Sequence, residues 1–368
     1  MNDRLKALAD AGVSIWLDDL SRELLESGEL AKLVEEYSVV GVTTNPTIFA
    51  GAIANGERYS EQLHKLVSTG EPVEKVVFAL TTADVRDACD LLAPLATGNS
   101  ADGRVSIEVE PTLANDTAGT IASAQALWTA VDRPNVLIKI PATKEGLPAI
   151  TAAIAQGISV NVTLIFGEQR YREVMDAYLT GLEQAGSNGL DLSQIQSVAS
   201  FFVSRIDTEV DARLDAIGTS AALELKGHAA LANARLGYAA YEEVIASERW
   251  KRLGQAGAHK QRPLWASTGV KSKDYPDTMY VIGLVVADTV NTMPRATMEA
   301  FADHGVVEGD CVTGQGEKAR KTLDQITAVG VDFENVLTTV EHEGVDKFKN
   351  SWTELTRTVT QQMSEMRD

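Results

Sequence analysis

Lys139 stands inside the run NVLIKI, with Val136, Leu137, Ile138 and Ile140 around it. Lysine is almost never fully buried unless it is paired or has a task. One account is an edge strand whose lysine snorkels to water along its own stem. The other is an amine desolvated so that it loses its proton more readily and attacks a ketone to form a Schiff base. The protonated imine is then an electron sink for breaking or making an adjacent C–C bond. That chemistry needs one acid/base group to dehydrate the carbinolamine and a second base for the substrate hydroxyl. Glu108 and Asp18 are two acids able to divide these tasks if their surroundings set different pKa values. Asn45, Asn161, Thr163 and Ser200 offer amides and hydroxyls that hold a polyhydroxylated substrate without changing its charge. Structural accounts stand beside these. Asn45 precedes Pro46, so TTNPT also reads as a turn and helix start. Asp18 and Asp19 precede LSRELLE and can flank or cap a helix. Glu108 can simply neutralise Lys139.

Bringing these residues together is a task for strands. Short β-rich runs end at Asp18, Asn45, Glu110, Ile140, Phe166, Val203, Thr268 and Met293, with helical periodicity between them in stretches such as TIASAQALWTAVD and YREVMDAYLTGLEQ. Alternating strands and helices imply parallel pairing through right-handed crossovers. Eight such units close naturally into a (β/α)8 TIM barrel, with an open doubly wound sheet as the alternative. Side chains alternate along a strand. Lys139 therefore shares a face with Leu137, away from Val136, Ile138 and Ile140. Glu108 goes with Ser106 and Glu110 against Val105, Ile107 and Val109. Asn161 and Thr163 oppose Val160, Val162 and Leu164. Gly41, Thr43 and Asn45 oppose Val40 and Val42, and Trp16 and Asp18 oppose Ile15 and Leu17. In each strand the apolar face suits packing helices. The polar groups sit toward the C-terminal end, where such barrels build active sites.

The barrel is expected to occupy residues 1–303, and a helical extension packed on it residues 304–368, as one domain overall. The glycine-rich TGQGEKARK at Thr313 follows no strand and reads as a loop and helix start rather than a phosphate cradle. A formal charge of −19 argues against a nucleic-acid partner, which requires a basic footprint. Cys89 and Cys311 cannot build a disulfide framework and suit a reducing, cytoplasmic setting. The opening MNDRLKALADAGVSIWLDDLSR has no long apolar segment, so neither a signal peptide nor a membrane anchor is expected. His64, His228, His259, His304 and His342 lie far apart, so no zinc site is expected.

At these residues the sequence resembles the transaldolases. TTNP at Thr43–Pro46, SIEVEP at Ser106–Pro111, VLIKIPAT at Val136–Thr143, NVTLIF at Asn161–Phe166 and SFFVSRID at Ser200–Asp207 follow one another in that family's order. The SIWLDDLSR opening and the C-terminal extension are similar to its longer bacterial branch. The resemblance implies a class I aldolase type of barrel acting in the pentose phosphate pathway without metal or cofactor. A dihydroxyacetone unit would pass from sedoheptulose 7-phosphate or fructose 6-phosphate to glyceraldehyde 3-phosphate or erythrose 4-phosphate.

It implies residue roles as well. Lys139 would carry the Schiff base, and Glu108 with Thr163 would manage the water and protons of imine formation and hydrolysis. Asp18 would deprotonate the hydroxyl whose collapse splits the C–C bond. Thr43, Asn45, Asn161 and Ser200 would hold the dihydroxyacetone moiety, Phe202 would wall the pocket, and Arg205 would take a phosphate. The chain departs from the pattern after the seventh strand, where the family supplies a second phosphate-binding arginine and this sequence reads ASTGVKSKDY. Lys271, helped by Ser267, is the substitute, with Lys273 an equally charged rival. A lysine acts there as a point charge without a bidentate fork. A fructose 6-phosphate aldolase, and a non-catalytic barrel that only binds sugar phosphates, are the competing functions. The expected partners are sugar phosphates, not membranes or nucleic acid; monomer and homodimer both stay open.

Overall fold

The computed structural model describes residues 1–54, 56–97 and 101–366. Eight strands form: β1 (Val13–Leu17), β2 (Val39–Thr43), β3 (Arg104–Glu108), β4 (Val136–Pro141), β5 (Val160–Ile165), β6 (Ser197–Phe202), β7 (Arg262–Ala266) and β8 (Thr289–Met293). They pair in chain order, each parallel to the next, and β8 returns to β1 to close the barrel. The fold is thus a (β/α)8 barrel, and the open-sheet alternative falls. All eight runs read from the sequence are strands, with ends shifted by a few residues.

The alternation has the expected physical consequence. Val105, Val136, Ile138, Val160 and Val162 are buried in the apolar layer, while the polar set of the same strands is buried too, inside the barrel. Trp16 fits there only because β2 supplies Gly41, where a Cβ would collide with the indole. The lower end is closed by Arg262. Its Nη2 donates to Ser14 Oγ at 2.6 Å and to the Thr289 carbonyl at 2.9 Å, and Nη1 donates to Asp102 at 3.3 Å.

One parity assignment fails. Pairing between β5 and β6 slips between Val162 and Ile165. Leu164 there takes a left-handed backbone, φ 60°, which is costly for a branched side chain. Leu164 leaves the face of Val160 and Val162 and lies instead where Gly344 arrives; a Cβ on that glycine would sit 3.1 Å from Leu164 Cδ2.

After Met293 the described chain is helical: Arg295–His304, Gly316–Ala328 and Phe333–Glu365. TGQGEKARK is a loop and helix start, as read. The C-terminal helix Phe333–Glu365 is capped by Asp332, whose side chain accepts from Asn335 N. Val336, Val340, Gly344, Phe348, Leu355, Val359 and Met363 form its buried stripe, at four- and seven-residue spacing. The stripe crosses the C-terminal end of the barrel. It touches β5, the helix Ser204–Ile217 after β6 and the helix Pro46–Ala54 after β2. Among the described residues, no helix is long and apolar enough to cross a membrane.

Candidate active site

Glu108, Lys139 and Asn161 are register neighbours on β3, β4 and β5. Residues paired in parallel strands point to the same side, so the three stand in a row inside the barrel. Lys139 is only 4% exposed. Its Nζ donates to the Thr44 carbonyl at 2.9 Å and lies 3.4 Å from Glu108 Oε2. That second contact has an ion-pair distance but not hydrogen-bond geometry, and Glu108 Oε2 has no hydrogen-bond partner among the described residues. The Phe348 ring, 6.0 Å from Nζ at its centroid, lies over the amine. No edge strand is involved, so snorkelling does not account for this lysine.

Burial acts on both acids, but in different company. Burial lifts Glu108 to a pKa of about 7, against the lowering pull of Lys139. Asp18 is also raised by burial, with Lys139, the Thr43 hydrogen bond and Lys271 pulling the other way. Thr43 Oγ1 donates to Asp18 Oδ1 at 2.7 Å and sits 2.6 Å from Thr292 Oγ1. A hydroxyl has one proton, so with that proton on Asp18, Thr292 must be the donor to Thr43. Asp18 is thereby oriented from β2 and β8 together.

A second polar chain runs across the barrel. Ser200 Oγ donates to Asn161 Oδ1 at 2.7 Å, and Asn161 Nδ2 donates to Ser106 Oγ at 3.0 Å. Thr163 Oγ1 is buried without a partner among the described residues. A hydroxyl with free capacity and a carboxyl titrating near neutrality flank the space beside Lys139. Such an arrangement can pass a proton to and from a water or a substrate hydroxyl there.

The remaining expected residues divide. Asn45 is half-buried and its side-chain oxygen accepts from Ile48 N at 3.0 Å, so it does start the helix Pro46–Ala54. Phe202 is buried against Phe166, centroids 5.3 Å apart, and Arg205 Cζ lies 5.5 Å over its ring. Arg205 is half-buried, and burial lowers its pKa while Glu343 raises it. Ser267 adopts a left-handed backbone, φ 55°; its hydroxyl lies 2.9 Å from Ser204 Oγ and its carbonyl accepts from Ser204 N at 3.1 Å. The β7 loop is thus tied to the turn that presents Arg205. Lys271 and Lys273 are both exposed, yet only the Lys271 charge reaches Asp18 and Lys347.

Residues that sequence reasoning missed come from two places. Thr292 lies on β8, whose alternation was not read, and its parity with Trp16, its register partner, would have found it. Phe348 lies on the C-terminal helix, read as an extension packed on the barrel with a solvated charged face. The helical spacing of Gly344 and Phe348 was legible; the surface that this face covers was not.

Comparison with known proteins agrees with this geometry. The profile of the transaldolase/fructose-6-phosphate aldolase family matches residues 15–359. The chain is 59% identical over 365 residues to the transaldolase of Thermobifida fusca, covering 99% of each chain. It is 57% identical over 364 residues to that of Saccharopolyspora erythraea, again covering 99% of each. With transaldolase 2 of Streptomyces coelicolor it shares 57% identity over 368 residues, 100% of this chain and 99% of the relative. A barrel that buries a lysine amine beside a neutral-range carboxyl, and a match that runs through the C-terminal helix as well as the barrel, have one reading: the chain belongs to the transaldolase/fructose-6-phosphate aldolase family.

Proposed function

We propose that the protein transfers a dihydroxyacetone unit from a ketose phosphate to an aldose phosphate through a Schiff base on Lys139. The observation that carries this reading is the Lys139 amine, buried between the Thr44 carbonyl and Glu108 and covered by Phe348. The amine adds to the donor's ketone carbon, and Glu108 protonates the departing hydroxyl, which leaves as water. Asp18 takes the proton of the hydroxyl two carbons from the imine; the C–C bond between them breaks, and its electron pair flows into the iminium to give an enamine. The first aldose departs. The acceptor aldehyde takes the enamine's electrons, Asp18 returns its proton to the new hydroxyl, and water held by Glu108 and Thr163 hydrolyses the imine. Asn45, Asn161, Ser200 and Thr43 hold the three-carbon unit, Phe202 walls it, and Arg205 and Lys271, braced by Ser267, hold the phosphate. The reaction as written calls for no metal or cofactor, and its substrates are those of cytoplasmic sugar metabolism.

Transfer is favoured over simple release of dihydroxyacetone because Phe348 and its helix cover the amine. An enamine shielded from water waits for an acceptor rather than a proton. Borohydride with fructose 6-phosphate, followed by peptide mapping, tests the reading. A reduced three-carbon adduct on Lys139, with little turnover until an aldose phosphate is added, is the expected result. Fast acceptor-free turnover would make the protein an aldolase, and absence of any adduct would return Lys139 to a structural role.

A further inference from the structure

Among the described residues Arg205, Lys271 and Lys347 of the C-terminal helix form no ion pair within contact distance, though the Glu343 charge acts on Arg205. These cations share one rim of the barrel mouth. Gly344, Lys347 and Phe348 stand at i, i+3 and i+4, one face of that helix. The face is pinned at two points. A Cβ on Gly344 would lie 3.2 Å from Arg205 Nη1, and the Phe348 ring lies 6.0 Å from Lys139 Nζ. On the β7 side, a Cβ on Gly269 would lie 4.0 Å from Lys271 Nζ. Lys347, itself exposed, therefore projects from the turn that passes from the guanidinium to the reacting amine.

We propose that Lys347 is a third phosphate-anchoring cation of the site, a specificity-determining residue that the C-terminal helix adds to Arg205 and Lys271. The inference rests on the reading of this mouth as a sugar-phosphate site. Partial desolvation, then the charges of Arg205 and Lys271, push Lys347 below the ordinary lysine range, as expected where cations gather; Glu343 is the acid whose charge reaches Arg205. In a chain of net charge −19, such a cluster is a local exception that a dianion would settle. Two lysines beside one arginine also offset what the chain gives up by lacking a second fork: two point charges share the load. Because the same helix carries Phe348, a phosphate drawn to Lys347 would hold the cover down over Lys139.

The test compares donors with and without phosphate, using unphosphorylated glyceraldehyde as acceptor. Lys347→Ala should raise KM for fructose 6-phosphate roughly fivefold to tenfold, the effect of losing one charge-assisted contact. Inhibition by inorganic phosphate should weaken in parallel, kcat/KM for fructose should stay unchanged, and Lys347→Arg should recover most of the loss. Lys349→Ala, two residues along the same helix, should show no preference between the donors. Equal losses for fructose and fructose 6-phosphate would make Lys347 part of the cover only, and no change with either would remove it from the site. Binding of inorganic phosphate by calorimetry, wild type against Lys347→Ala, reads the anion contact without turnover. If that differs while wild type yields no borohydride adduct, the transfer reading fails and the anion site stands.

Discussion

In the proposed reaction the chemistry turns on Glu108, because it pairs a place beside Lys139 with a pKa of about 7. A group poised there changes hands with a proton at neutral pH in both directions, which imine formation and hydrolysis require. Glu108→Gln keeps the volume and removes the titration. Steady-state rates should fall by a factor of about 10² to 10⁴, and the inflection near neutrality should vanish from the kcat profile. The sign of the stability effect follows from the same shift. Burial raises the folded pKa above the ordinary 4.5, so between those values the folded chain holds a proton that the unfolded chain has released. The stabilising share of this group is full below 4.5 and is lost as pH rises through about 7. Thermal melts at pH 5 and pH 8 should therefore show Glu108→Gln gaining on wild type at the higher pH; a gap independent of pH would mean that the carboxyl titrates normally. Lys139 and Glu108 were legible in the sequence because alternation within a strand is a rule of geometry. Their 3.4 Å approach was not, since it depends on the register between two strands.

At the scale of elements, several motif residues serve placement rather than chemistry. Asp207 ends the SFFVSRID segment, and in the first turn of the helix Ser204–Ile217 its carboxylate accepts from Ala230 N at 2.8 Å and from Tyr280 OH at 2.8 Å. It fixes the helix whose start presents Arg205. Asp207→Ala would leave both buried donors without their acceptor and should cost about 2–4 kcal/mol by denaturant unfolding, from roughly 1–3 kcal/mol for each donor partly offset by relaxation. Its KM for fructose 6-phosphate should rise with it; a fully stable variant would show that water replaces the carboxylate. Arg22, last in SIWLDDLSR, is likewise buried on Asp84, with Nη2 2.8 Å from Oδ1, and under Tyr59, with Cζ 4.4 Å from the ring centroid. The C-terminal helix reverses the relation, since a segment read as packing contributes to the site. Phe348→Ala should leave the stripe from Val336 to Met363 largely buried while admitting water above Lys139. The ratio of acceptor-free release to transfer should rise about tenfold, as expected when water reaches a reactive intermediate. An unchanged ratio would remove shielding as the reason that transfer prevails.

The whole barrel separates these duties by its two ends. Reactive groups gather where the strands finish. The opposite end is held by Arg262, bonded to Ser14, Thr289 and Asp102 at 2.6, 2.9 and 3.3 Å. Closure itself was legible, because eight strand–helix units with polar inner faces have few other ways to bury themselves. The slip at Leu164 and the path of the last helix across the mouth were not. Both arise from contacts between segments about 180 residues apart, Leu164 and Gly344 meeting only once the barrel has closed. The division of ends makes a prediction that no single residue makes. Arg262→Ala removes a buried cation from partners that remain, a change of roughly 2–3 kcal/mol, less than for a fully buried pair because Asp102 and Asp288 are partly in water. The melting temperature should drop by several degrees. Below the transition, kcat, KM and the yield of borohydride adduct on Lys139 should match wild type, because the bonds lost lie at the far end of the strands from the amine. If catalysis fell in proportion to stability, the two ends would be coupled through the strands, and the inner polar row from Ser106 through Asn161 to Ser200 would be the path to examine by double-mutant cycles.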